Sequence, residues 1–332
     1  MKAIVQERYG SSDELELREV PEPRVGDDDV LVRVRATSVH ADVWHAVRGV
    51  PYVLRLGRRK PKEPIPGTDL AGVVEAVGRN AIRFRPGDEV VGQPLGANLW
   101  RNGATFAELA AVPEARLEPK PTNLTFEQAA AVLTSGPIAV QAIRDEGRVR
   151  AGQRVLINGA GGAVGTIAVQ LAKVYGAEVT AVDRGPKLDA LRSIGADHVI
   201  DPAREDFTRM GDRYDVVVDI PGNHRWSELQ RALAPEGTYV LIGHDAYGSE
   251  GRRWIGSLGR FGKLALRAPF DGRLHPFRGA KDPGDRLKVL LALIEGGKIT
   301  PVIDSTFPLD HVVKAIRHLE TGQAFGKIVI TV

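Results

Sequence analysis

Val155-Leu-Ile-Asn-Gly-Ala-Gly-Gly-Ala-Val-Gly165 joins an apolar, β-prone run to a turn with glycines at 159, 161, 162 and 165. Val164, Ile167, Ala168, Leu171 and Val174 then recur at helical spacing. A strand, a glycine turn and a helix in this order are the setting in which a loop takes the pyrophosphate of a dinucleotide. Glycine lets the backbone turn tightly and approach the phosphates, and the following helix turns its N-terminus to the negative charge. On this reading Gly159, Ala160, Gly161, Gly162, Ala163, Val164 and Gly165 contact the cofactor. Asp183 closes a second β-prone run at 178–182, the position of an acidic residue that accepts from the ribose hydroxyls of NADH. Arg184 and Lys187 follow at once and suit the 2′-phosphate of NADPH. The two signals conflict, so the choice within NAD(P)H stays open. A turn that merely packs a helix on a sheet is the bland alternative, and the acidic residue at the second strand end argues against it.

Downstream the alternation continues. β-Prone runs at 154–159, 178–183, 198–201, 214–220 and 238–243 alternate with helical patterns at 163–175, 186–194, 204–210 and 226–234. That spacing predicts a doubly wound parallel sheet. The run Asp215-Val-Val-Val-Asp-Ile220 should end at the ligand crevice. Upstream, short runs at 2–6, 15–20, 30–36, 72–77 and 89–92, separated by Gly, Pro and Asp turns, predict a small antiparallel β-barrel. Residues 125–144 read as helix, with a capping-box pattern at Thr125 and Gln128 and an interruption at Gly136-Pro137. Residues 267–283 read as irregular, 285–295 and 309–320 as helices, 299–307 as extended and 327–331 as a last strand. The fold class is α/β, with a barrel domain and a doubly wound sheet.

The 332 residues accommodate two domains of ordinary size, and 43% hydrophobic content supplies their cores. Every apolar run falls short of the ~20 residues of a membrane span. Met1-Lys-Ala-Ile-Val-Gln-Glu-Arg8 reads as a strand rather than a signal peptide, because Glu7 and Arg8 interrupt it, so a cytoplasmic location is expected. There is no cysteine, hence no disulfide, thiol nucleophile or thiolate metal site. The net charge is +3 with acids and bases nearly balanced. The basic cluster Arg55, Arg58, Arg59, Lys60 and Lys62 lacks interleaved aromatics, so no nucleic-acid partner is expected.

These landmarks, in this order, resemble the medium-chain dehydrogenase/reductase superfamily, in its zinc-independent quinone oxidoreductase-like branch. The resemblance rests on Met1-Lys-Ala-Ile-Val5, Pro66-Gly-Thr-Asp-Leu-Ala-Gly-Val-Val-Glu-Ala-Val-Gly78, Phe84-Arg-Pro-Gly-Asp-Glu-Val-Val-Gly92 and the glycine turn. Arg192-Ser-Ile-Gly-Ala-Asp-His-Val-Ile-Asp201 and Gly322-Gln-Ala-Phe-Gly-Lys-Ile-Val-Ile330 complete it. It implies a GroES-like catalytic domain of residues 1–122 and 266–332, a Rossmann NAD(P)-binding domain of residues 123–265 inserted within it, and an active site in the cleft. It also implies cofactor contacts from Thr134 and Ser135, from Ile242 and Gly243, and from Lys327. Phe270 and Phe277 are expected beside the substrate entrance, and the assembly is expected to be a homodimer. Where zinc members carry a cysteine and a Gly-His-Glu motif, this chain reads Val39-His40-Ala41-Asp42 and Gly67-Thr68-Asp69. His40, Asp42, His45 and Asp69 are the metal-ligand candidates. Their spacing matches no recognised site, so no zinc is expected.

Without a Lewis acid, hydrogen-bond donors must polarise the acceptor. The resemblance places substrate-facing residues in the stretch from Ser38 to Tyr52. Tyr52 and His40 are the catalytic candidates, His40 because an imidazole with a pKa of about 6.5 titrates near neutrality. Relatives carry Asn-Pro where this chain has His40-Ala41, a departure that leaves any inherited proton relay open. Trp44 reads as packing and His45 as a wall residue. The implied function is hydride transfer from NAD(P)H to a quinone or an α,β-unsaturated carbonyl. Two readings compete: reduction of an aldehyde or ketone at the carbonyl carbon, and nucleotide binding without turnover by a sensor or structural protein.

Overall fold

The computed structural model describes residues 1–55, 57–95, 101–243, 254–256, 258–274 and 283–332. Its contacts divide the chain into two units, Met1–Thr134 with Pro301–Val332, and Ser135–Thr300. In the first, β1 (Lys2–Val5) pairs antiparallel with β2 (Glu16–Glu19). The long strand β3 (Asp29–Val39) is the spine: Val30, Val32 and Val34 are buried while Arg33 and Arg35 face solvent, the alternation of a half-buried strand. α1 (Ala41–Arg48) follows it, then β4 (Leu70–Val77), β5 (Glu89–Gly92), β6 (Leu109–Pro113) and β7 (Leu117–Pro119). β3 lies antiparallel to both β4 and β6. α2 (Phe126–Val132) opens on the expected capping box, Thr125 and Gln128 each bonding the other's backbone N–H.

The second unit begins with α3 (Ser135–Val140), which runs into a π-helical turn at Gln141–Glu146. The helix break thus falls at 133–134 rather than at Gly136-Pro137. Pro137 sits in the first turn of α3, where its missing N–H costs nothing. β8 (Arg154–Asn158), α4 (Ala163–Val174), β9 (Glu178–Val182), α5 (Leu188–Ser193), β10 (His198–Ile200), β11 (Tyr214–Asp219), α6 (Trp226–Ala232) and β12 (Leu233–Leu241) follow. The five strands are all parallel, in the order β10-β9-β8-β11-β12. This is the doubly wound arrangement, with its reversal of direction between β8 and β11. Val155, Leu156 and Ile157 are fully buried, as strands covered on both faces require.

Three expectations are corrected here. Residues 204–210 form turns instead of a helix: Asp201 accepts from Ala203 N at 3.0 Å and Asp206 from Thr208 N at 2.9 Å, local bonds that compete with helix formation. A helix, α7 (Leu258–Arg267), forms where the sequence indicated none. Residues 266–300 lie in the second unit and not with the barrel, so the units divide at 134/135 and 300/301. The cause is α8 (Pro283–Glu295), whose Leu290, Leu291 and Ile294 are buried. Leu290 rests on Gly136 of α3, where an added Cβ would lie 2.0 Å from its Cδ2. Phe277 lies outside the described residues.

The chain then returns to the first unit through β13 (Ile303–Pro308), α9 (Val312–Glu320) and β14 (Lys327–Thr331). β14 pairs parallel with β13 and antiparallel with β3, which completes a seven-stranded sheet from both ends of the chain. Among the described residues no helix is long and apolar enough to cross a membrane.

Candidate active site

Three strand ends meet in the first unit. β3 lies between β14 and β4, with Ile328 opposite Val39 and Ala71 opposite Ala36. That register gathers Ser38, His40, Asp69 and Lys327 at one end of the sheet, and Thr134 joins them from the end of α2. Asp69 is the hub and is wholly buried. Its Oδ2 accepts from Ser38 Oγ at 2.5 Å and lies 3.4 Å from Lys327 Nζ. Its Oδ1 accepts from Thr134 Oγ1 at 2.6 Å and from Gln93 Nε2 at 2.8 Å. Thr134 spends its one proton on Asp69, so it accepts from Gln93 Nε2 at 2.7 Å, and His40 Nε2 lies 3.3 Å from the same hydroxyl. His40 Nε2 also lies 2.9 Å from Thr68 Oγ1.

Burial alone would raise the pKa of Asp69. The Lys327 ammonium, His40 and the Ser38 and Thr134 hydroxyls outweigh it and hold the carboxyl below its usual range. Burial lowers Lys327, against the opposing pull of Asp69. Burial, aided by Lys327 and opposed by Asp69, pushes His40 down to about 3. The expectation of an imidazole titrating near neutrality is thereby corrected: His40 is neutral.

Tyr52 lies on a 3-10 turn at Tyr52–Arg55, with the Arg55 guanidinium stacked 4.2 Å over its ring. Arg55 also binds the carbonyls of Gly49 and Arg48, which fixes that turn to the end of α1. Trp44 is packing, as read, and its indole donates to Glu320 at 2.7 Å. Of the four metal-ligand candidates, His40 lies beside Asp69, with Nε2 3.6 Å from its Oδ2, and beside Asp42, while His45 is turned to the backbone. His45 Nδ1 contacts Val50 O at 2.8 Å, Asp42 stands 4.0 Å from His40 Nδ1, and the oxygens of Asp69 are already engaged. Among the described residues no three His, Cys, Asp or Glu side chains form a metal-holding group.

In the second unit β8 ends at Asn158 and α4 starts at Ala163, with Gly162 as N-cap and no side chain capping it. The first-turn amides are left for a ligand. Gly159 takes φ +81°, and a Cβ on Gly165 would meet Gly159 O at 2.4 Å and Ala160 O at 2.5 Å, so the bare backbone is what lets turn and helix touch. An added Cβ on Gly162 would meet only Gly159 O, at 3.6 Å; this side of the turn is open. Gly159 to Gly165, including Ala160, Gly161, Ala163 and Val164, fit a dinucleotide pyrophosphate.

Asp183 does more than the sequence indicated. Its Oδ2 accepts from Gly161 N at 2.7 Å, its Oδ1 from Arg184 N at 2.8 Å, and Lys187 Nζ lies 3.6 Å away. The carboxylate buttresses the glycine turn itself. Past the ends of β9 and β10 a groove of about 630 Å³ is lined by Arg184, Gly185, Pro186, Asp201 and Arg204 among others. Ile242 and Gly243 follow β12; Ile242 N donates to Asp219 O at 3.1 Å, and Gly243 has φ +75°. Phe270, expected at a substrate entrance, is 91% exposed.

Sequence reasoning passed over the polar group beneath the turn. Buried Asp219 accepts from Asn158 Nδ2 at 2.9 Å, Gly222 N at 3.0 Å and Tyr239 OH at 2.8 Å. Burial and Asp219 both raise the Tyr239 hydroxyl. A carboxylate closing an otherwise apolar strand was the available signal.

Residues 26–122 match a family model described as an alcohol dehydrogenase GroES-like domain, and residues 194–330 one described as a zinc-binding dehydrogenase. The chain is 35% identical to the chloroplastic NADPH-dependent alkenal/one oxidoreductase of Arabidopsis thaliana, over 99% of this chain and 79% of that protein. It is similar to the solved structure of an NAD-dependent alcohol dehydrogenase, with a TM-score of 0.83 and 30% identity over the whole of both chains. It is also similar to the quinone oxidoreductase of Coxiella burnetii, with a TM-score of 0.82 and 26% identity over 100% of this chain and 99% of that one.

Proposed function

The chain belongs to the quinone oxidoreductase-like branch of the medium-chain dehydrogenase/reductase superfamily, and from that premise we propose that it is an NADPH-dependent reductase of quinones or α,β-unsaturated carbonyls. The observation that carries this reading is the open glycine turn at the uncapped start of α4. The first-turn backbone amides from Ala163 to Gly165 bind the pyrophosphate, over a turn whose Gly161 N–H is held by Asp183. Arg184 and Arg204, on the groove beyond β9, take the 2′-phosphate. Asp183 is committed to Gly161, Arg184 N and Lys187, so it braces the turn rather than selecting a ribose hydroxyl. Thr134, Lys327, Ile242 and Gly243 are assigned as further cofactor contacts.

When bound, the reduced nicotinamide supplies a hydride. The chain's own residues supply the electrostatics. The His40 imidazole and the Lys327 ammonium belong to one buried cluster, and a preorganised polar group of this kind is what stabilises charge developing on an acceptor oxygen. Tyr52 is the candidate proton donor, and the reaction is proposed as independent of zinc.

NADPH oxidation across a panel of quinones, enones and aldehydes, with products identified, tests the reading. A simple enone should yield the saturated ketone. An allylic alcohol would favour carbonyl reduction instead, and binding without oxidation across the panel would favour a sensor. Tyr52→Phe should lower kcat more than it raises KM; unchanged kinetics would remove Tyr52 from the reaction.

A further inference from the structure

One buried carboxylate ties three strand ends of the parallel sheet together. β11 lies between β8 and β12, with Asp219 opposite Asn158 on one flank and Leu241 on the other. Asp219 closes β11 and is wholly buried. Its Oδ1 accepts from Asn158 Nδ2 and Gly222 N, and its Oδ2 accepts from the Tyr239 hydroxyl of β12. Asn158 Nδ2 also donates to Asn223 Oδ1 at 3.1 Å, and Ile220 N donates to Asn158 O at 3.1 Å. The loop 220–223 is thus bonded to the strand ends at its first residue and at its last two.

That loop is a wedge. A Cβ on Gly159 would lie 2.9 Å from Pro221 Cδ and 3.2 Å from Ile220 Cβ, so one side of the loop rests on the glycine turn. A Cβ on Gly222, where φ is +62°, would lie 2.9 Å from Leu241 Cδ1 and 3.4 Å from Gly243 Cα, so the other side rests on the end of β12. Asp219 carries no apolar packing that would explain its burial; what it supplies is an acceptor for three fixed donors. A satisfied buried network of this kind holds its members in one arrangement.

The strand order says what the wedge faces. β9 and β10, with the groove lined by Arg184 and Arg204, lie on one side of β8, and β11 and β12 lie on the other. A dinucleotide with its pyrophosphate on the turn and its adenosine end towards that groove runs its other half over β11 and β12, across the switch point between β8 and β11. We propose that Asp219 is a positioning residue for the nicotinamide half of the cofactor, acting through the loop 220–223 and Gly243. The inference rests on the reductase reading and names the residue that sets the ring.

The full chain is titrated with NADPH and with 2′-phospho-ADP-ribose, which lacks only the nicotinamide ring. NADH and ADP-ribose serve as a second pair, so that the 2′-phosphate does not enter the comparison. Asp219→Ala leaves the three donors without their acceptor and should weaken NADPH about tenfold while the ringless analogue changes by about twofold or less. Asp219→Asn should restore the preference, because its oxygen accepts from Asn158 and Gly222 while its N–H₂ donates to a reversed Tyr239 hydroxyl. Should Asp219→Ala fail to fold, Tyr239→Phe removes one bond and keeps the ring; it should shift the same ratio in the same direction, about threefold. Equal weakening of both nucleotides in each pair, or of neither, overturns the proposal by reducing Asp219 to a structural role or to none. A wild-type chain that binds no member of either pair overturns the reductase reading itself, and this inference with it.

Discussion

Asp69 shows how far a single residue can be read. The motif Gly67-Thr68-Asp69 marked it as a possible metal ligand, but its partner Lys327 is set by β3 lying between β4 and β14, and no local pattern encodes that neighbourhood. Because the pair is buried, removing one charge costs more than removing both. Asp69→Asn should destabilise the protein by about 3 kcal/mol in urea unfolding, and Asp69→Asn/Lys327→Met should recover part of that loss. Simple additivity of the two changes would show that the ion pair carries no coupling. His40 adds a pH signature. Unfolded, it takes up a proton near 6.5; folded, only near 3. Its contribution is therefore complete above about 6.5 and declines by up to about 1.4 kcal/mol per unit as pH falls towards 3. His40→Asn should flatten that acid limb between pH 6.5 and 4 in the same measurement.

At the scale of elements, what repeats along the chain was legible and what depends on a single side chain was not. The parallel strands and α4 follow from apolar runs and 3.6-residue spacing. The turn at 204–210 follows from Asp201 and Asp206 bonding the local backbone, and α7 was hidden by Gly259 and Gly262, poor helix formers whose cost packing on the core offsets. The glycine turn was legible because its chemistry is local. Gly165→Ala places a methyl against the Gly159 and Ala160 carbonyls, which are backbone and cannot rotate away. Nucleotide affinity should fall by about tenfold or more in a fluorescence titration; retained affinity would detach the turn from the cofactor. The π-helical turn holds Glu146, whose Oε1 accepts from Gln141 at 2.6 Å while Oε2 is buried without a hydrogen bond. Burial, countered by Gln141 and Arg286, raises its pKa to about 7 from 4.5. Its folded-state proton uptake stabilises fully below about pH 4.5, and that gain is lost as pH rises through 7. Glu146→Gln should accordingly stabilise at pH 8 by about 2 kcal/mol and change little at pH 5, as thermal melts at the two values would show.

Over the whole molecule, the unit Ser135–Thr300 is inserted into a sheet whose strands come from both ends of the chain. The insertion was legible as a change from turn-rich β runs to alternating strands and helices. Its C-terminal boundary was not, because α8 joins the second unit through side-chain packing on α3 rather than through any change of period. The glycine turn, Asp183 and the arginine-lined groove all belong to that inserted unit, so nucleotide binding should stabilise it directly. A ligand at a hundred times its Kd adds about 2.7 kcal/mol to the form that binds it. NADPH should raise the melting transition more than NADH at equal concentration, and hydrogen exchange should slow at 159–165 and 183–187. Arg184→Ala should narrow the gap between the two cofactors, because it removes a cation from the groove while Asp183 continues to brace Gly161. A larger shift with NADH would return Asp183 to the ribose and reverse the cofactor assignment while leaving the fold and the pyrophosphate site intact.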